Sequence, residues 1–181
     1  DPACIVSRTI FISSMILLYT ASTVYHSFDI SVRVNRILQK LDHIMIFLLI
    51  AGSYTPLCMV TLRDGVGPLM CIIVWSIAAV GILIKACWIT CPKWFSSIVY
   101  IGMGWVCLMG LPEILSSLSP SAFGWLLAGG IIYTVGGIIY ALKLPIFNSR
   151  HQNFGSHEIF HLFVMAGSLC HYIVMYSFVA A

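Results

Sequence analysis

The stretch His157-Glu158-Ile159-Phe160-His161-Leu162-Phe163-Val164-Met165-Ala166-Gly167-Ser168 opens the last apolar block of the chain, which continues to about residue 179. A block of that length suits one bilayer crossing, for which roughly 20 apolar residues suffice. Yet it begins with two imidazoles, which are costly in hydrocarbon unless they face a partner, an ion or water. Histidines at i and i+4 lie on one helix face, a spacing that suits a single zinc ion. The stretch therefore predicts a membrane-spanning helix whose first turns carry a metal site.

The rest of the chain agrees with a membrane setting. Of 181 residues, 60% are hydrophobic and only 8% charged, with a mean hydropathy of +1.01; a soluble domain carries about 25% charged residues. Secreted and cytosolic classes are excluded. The net charge of +3 bears on membrane orientation rather than on nucleic acid, and no nucleic-acid partner is expected. Six apolar blocks are legible, at about 6–27, 42–62, 66–86, 95–112, 122–142 and 157–179. The fold expected is an all-α, polytopic helix bundle, with residues 1–181 forming a single transmembrane domain. The chain starts at Asp1 without a start Met or a signal pattern, and further sequence is expected upstream.

Charge placement predicts orientation. Arg33, Arg36, Lys40, Lys85, Lys93, Lys143 and Arg150 fall after blocks one, three and five, against Arg8 and Arg63 on the other side. The crowded side is expected to be cytoplasmic, with both ends of the chain outside. His26 then ends a helix running inward, while Asp42 and His157 each begin one running outward. All three meet at one depth near the cytoplasmic face, with His161 a turn deeper. A faint internal echo supports this: Asp42 precedes Ala51-Gly52-Ser53 by the offset that separates His157 from Ala166-Gly167-Ser168. Both triplets are small-residue patches where helices approach closely. Gly129-Gly130 and Gly136-Gly137 read as packing sites too.

A catalytic zinc takes three protein ligands and keeps one position for water. His26, His157 and His161 supply three nitrogens. Asp42 is the carboxylate at that depth, suited to orienting water or accepting its proton, although an acid at a helix start also serves as an N-cap. Ser22, four residues before His26, shares its helix face and offers a hydroxyl. His43 points about 100° away from Asp42, His151 sits in a basic loop, and His171 lies toward the far end of the last helix as a polar packing contact; none is read as a ligand. The seven cysteines behave mostly as small hydrophobes, with Cys87 and Cys91 a weak candidate for a metal or a bridge. A rival pattern is also present: His157-Glu158-Ile159-Phe160-His161 fits the H-E-x-x-H motif of zinc proteases, with Glu158 as base.

Three blocks resemble the hemolysin III family, within the wider progestin and adiponectin Q receptor group. They are Ala21-Ser22-Thr23-Val24-Tyr25-His26-Ser27, then Leu41-Asp42-His43 through Ala51-Gly52-Ser53-Tyr54-Thr55-Pro56, then His157 to Tyr172. Met103-Gly104-Trp105 and Ala128-Gly129-Gly130 to Tyr133-Thr134-Val135-Gly136 fit as well, so the likeness covers nearly the whole chain. It implies a seven-helix fold whose first helix is missing here, with an S-x-x-x-H element (Ser22, His26), an aspartate (Asp42) and an H-x-x-x-H element (His157, His161). The adiponectin receptors of the group bind zinc through the three histidines, with the aspartate and serine serving the zinc-bound water. They are similar to alkaline ceramidases, which implies hydrolysis of lipid amides. The family's third element does not require the Glu158 of the protease motif.

The function expected is thus a zinc-dependent hydrolase of a lipid-like amide or ester in the cell membrane, with membrane lipids as partners and a lipid as substrate. Two alternatives stand beside it: a receptor-like or cytolytic protein in which zinc only ties helices together, and an intramembrane zinc protease.

Overall fold

In hydrocarbon the backbone has no water to bond with, so a spanning chain satisfies its N–H and C=O groups within helices. The computed structural model describes residues 1–88, 90–142 and 155–179, and these hold helices and turns with no strand. Six helical segments among them are long and apolar enough to cross a membrane. Lys143, Pro145, Arg150 and His151, which entered the reading of block five and of the charge asymmetry, lie outside the described residues.

Helix α1 spans Pro2–Ser27; Asp1 caps it, its Oδ1 accepting the Ala3 N–H at 3.0 Å. Helix α2 spans Val32–Pro56, starting ten residues before the block at about 42–62. Ser31 is extended and its hydroxyl caps the Val34 N–H at 3.3 Å. The first turns carry Arg33, Asn35, Arg36, Gln39 and Lys40, too polar for a hydropathy reading yet no obstacle to a helix. These cations therefore sit on α2, not in a loop. Pro56 has no N–H to give, and a wider π turn, Leu57–Thr61, follows it, with the Leu62 N–H donating to the Leu57 carbonyl at 2.9 Å.

Helix α3 spans Gly67–Cys87. The fourth crossing, expected as one helix at about 95–112, is broken: α4 (Lys93–Gly104) passes into a 3₁₀ stretch, Trp105–Gly110, and then α5 (Leu111–Ser117). Pro112 does not stop this crossing. It sits in the first turn of α5, where a proline is tolerated. Helices α6 (Pro120–Leu142) and α7 (Ser156–Ser177) complete the set.

The chain divides into two units, Asp1–Cys91 and Pro92–Ala181. In the first, α2 packs against both α1 and α3. A Cβ on Gly52 would overlap the Ser14 side chain of α1, and one on Gly81 would overlap the Phe47 ring, so small residues set both approaches. The Trp75 indole donates to Thr55 Oγ1 at 3.2 Å, and Phe11, Met70 and Val74 are fully buried.

In the second unit α6 lies along α7. Gly129 makes room for the His171 ring, Gly136 for Phe163 and Gly167 for Tyr133, whereas Gly130 faces open space. Tyr133 and Ser168 share a hydrogen bond at 2.8 Å, and the Trp105 indole donates to Thr134 Oγ1 at 2.9 Å. His171 also meets the Tyr133 ring edge-on, with centroids 5.3 Å apart, and so packs between α6 and α7.

Candidate metal centre

Helix α7 begins immediately before its histidines. Gly155 is extended, and its N–H donates to the Glu158 carboxylate at 2.8 Å, which fixes the first turn. His157 and His161 follow on one face, both half-buried, with ring planes at 90° and centroids 4.6 Å apart. Their Nε2 atoms lie 3.2 Å apart. Two nitrogens bound to one tetrahedral zinc at 2.0–2.1 Å would be separated by about 3.3 Å. The 3.2 Å spacing is that of a hydrogen bond between the two rings, and it is also one that two nitrogens could take on a single ion. Tyr140 of α6 supports it from the side, stacking on Phe160 at 4.7 Å with its ring centroid 6.0 Å from that of His157.

The first unit holds the other candidates. Ser22 and His26 lie one turn apart near the end of α1, which closes when the Phe28 N–H donates to the Val24 carbonyl at 3.2 Å. His26 is exposed and its ring lies 4.6 Å from that of Tyr25. Tyr25 is in turn close enough to feel the charge of Asp42. The end of α1 and the acid of α2 thus share one end of this unit.

Asp42 is 6% exposed. It stands in the body of α2 rather than at its start, so the N-cap role that its place in the sequence allowed falls away: Ser31 is the cap. Beside it, His43 Nδ1 is 2.8 Å from the Gln39 carbonyl and 3.7 Å from Asp42 Oδ2. A ring nitrogen that close to a carbonyl carries the proton, so His43 donates to the Gln39 carbonyl. Sequence reasoning missed Tyr25 and Tyr140. Neither has a spacing signal, because an aromatic partner is chosen by packing between helices.

Cys87 and Cys91 are not bridged, and all seven cysteines are free thiols. The buried Lys85 donates to Cys91 Sγ at 3.0 Å. Lys40 donates to the Ala86 carbonyl at 2.6 Å, satisfying one of the last carbonyls of α3.

Comparison with known proteins decides the family. The model of the haemolysin-III related family matches residues 2–172. The chain belongs to that family. It is 37% identical over 166 residues to Hemolysin-3 of Bacillus cereus, covering 92% of this chain and 72% of that protein. A Hemolysin-3 homolog of Bacillus subtilis is 40% identical over 164 residues, covering 91% and 73%. More distantly, an adiponectin receptor protein of Drosophila melanogaster is 28% identical over 185 residues, covering 93% and 41%. Membership and the six apolar helices make this a multi-pass membrane protein of the hemolysin III type.

Proposed function

We propose that this chain is a zinc-dependent hydrolase of a lipid-like amide or ester, its two units acting as one transmembrane domain. The zinc would be held by His26, His157 and His161. The 3.2 Å separation of the His157 and His161 Nε2 atoms is the observation that carries the reading. Likeness to an adiponectin receptor and the S-x-x-x-H, Asp and H-x-x-x-H elements add to it. Bound there, zinc would supply a polarised carbonyl and a water of pKa about 7.

The residues of the chain divide the remaining work. Asp42, shielded from solvent, takes the proton of the attacking water as its oxygen bonds to the substrate carbonyl carbon. The same proton then passes to the leaving nitrogen or oxygen as the acyl bond breaks, which returns Asp42 to the carboxylate. The Ser22 hydroxyl donates toward the carbonyl oxygen, where negative charge develops. The basic end of α2 marks the cytoplasmic side on this reading, which sets the metal near that face and the C-terminus outside.

The test is zinc content together with turnover of lipid amides and esters, for wild type and Asp42→Asn. Zinc is expected to stay bound in the variant while turnover falls about 10²–10⁴-fold, the usual scale for a lost general base. Unchanged turnover would remove Asp42 from the chemistry. The names of the two Bacillus relatives favour a second reading, a cytolytic protein with structural zinc. It predicts that stripping zinc lowers thermal stability while no lipid is consumed. The protease reading has less support, since the Glu158 carboxylate is engaged by the Gly155 N–H.

A further inference from the structure

The corner between α1 and α2 carries chemistry that hydrolysis does not use. Asn35 ties it together: its Nδ2 donates to Asp29 Oδ1 at 2.6 Å and its Oδ1 accepts the Ile30 N–H at 3.2 Å. At about 100° per residue, Arg33, Arg36 and Lys40 fall within an arc of about 60° on α2. Asn35 lies about 160° around from Arg33, so the one nearby acid, Asp29, is drawn away from the arginines. Both arginines are exposed, and among the described residues neither has an acidic partner.

Apolar side chains flank the cations. Ile37 is exposed about 40° beyond Arg33 on α2, next to the basic arc, and at the corner Ile30 is 66% and Val32 78% exposed. A surface that pairs bare guanidinium groups with bare aliphatic side chains is matched by one environment, the boundary of a leaflet. There aliphatic groups enter the acyl layer while the cations stay with the phosphates.

We propose that this face of α2 seats the headgroup of an anionic phospholipid, with Arg33 and Arg36 on its phosphate and Ile37 against its chains. Charge complementarity selects the occupant. Two unpaired cations favour a lipid of net negative charge over a zwitterionic one, whose own ammonium offsets its phosphate. Lys40 adds less, because its ammonium is already held by the Ala86 carbonyl.

Native mass spectrometry of the full chain in neutral detergent tests this, with dioleoylphosphatidylglycerol and dioleoylphosphatidylcholine as the two probes. The anionic lipid should bind roughly tenfold more tightly, and the preference should shrink as sodium chloride rises. Arg33→Gln with Arg36→Gln should abolish the preference and Arg33→Lys with Arg36→Lys should keep most of it. Arg63→Gln, which removes a cation beyond the far end of α2, should leave it intact. Equal binding of both lipids by the wild type overturns the proposal, as does a preference that survives the glutamine pair. Displacement of the bound lipid by inorganic phosphate also overturns it, because the site would then be one for a free anion. If the glutamine pair does not fold, the wild-type lipid comparison and its salt dependence decide.

Discussion

Asp42 in α2 and His157 in α7 each lie nine residues ahead of an Ala-Gly-Ser triplet, and in both cases the glycine is where a neighbouring helix presses in: Ser14 against Gly52, Tyr133 against Gly167. Around Asp42 and His157 the two regions differ. His157 is in the first turn of its helix, half-buried, on a start fixed by Glu158. Asp42 is nearly buried, with ten helical residues ahead of it. The offset to a packing patch was therefore a sound guide to how each helix packs, while the distance to a helix start was not. One helix brings its paired imidazoles to an edge; the other keeps its acid in a shielded interior.

The largest effect that can break this comparison is on metal binding. His157→Ala with His161→Ala should remove bound zinc while leaving the helices folded, because alanine favours the helix. Metal analysis of the purified variant reads the result, and zinc still present at one per chain would sink the chelate.

Packing comes next. Gly52→Val and Gly167→Val should each cost about 1–3 kcal/mol through overpacking, read as lowered thermal stability. Gly102→Val is the control, since nothing lies within 4 Å of a Cβ there. A tolerated Gly52→Val would show that the echo between α2 and α7 is one of sequence only.

The smallest effect sharpens the helix start. Glu158→Gln replaces a charged acceptor for the Gly155 N–H with a neutral one, at a cost of about 0.5–1 kcal/mol. Turnover should hold. A large loss of turnover in a stable variant would give Glu158 the chemical role and restore the protease reading.

Much of the fold was legible because a bilayer imposes a length and a polarity on each crossing. The start of α2 was not. Arg33, Arg36 and Lys40 read as loop residues when judged by hydropathy, yet Ser31 supplies the cap and nothing in the next turns opposes a helix. The break at Trp105–Gly110 was also missed, since each of its residues is apolar and only the hydrogen-bond pattern changes. In the candidate site, the i, i+4 spacing made it readable that His157 and His161 share one helix face, and their Nε2 atoms lie 3.2 Å apart. The burial of Asp42 and the rings of Tyr25 and Tyr140 were not readable, because they depend on what the adjacent helix presents.

The 3₁₀ stretch of the fourth crossing has a consequence for where a charge comes to rest. Its six residues, Trp105–Gly110, rise about 12 Å where an α-helix would rise about 9 Å. Beyond them stands Glu113, the one acid between Trp94 and Ser117. The tighter, more extended winding carries that carboxylate about 3 Å further along the crossing than regular winding would, the height of two α-helical residues. Geometry that costs hydrogen-bond quality in mid-helix thus shifts where that acid stands along the crossing.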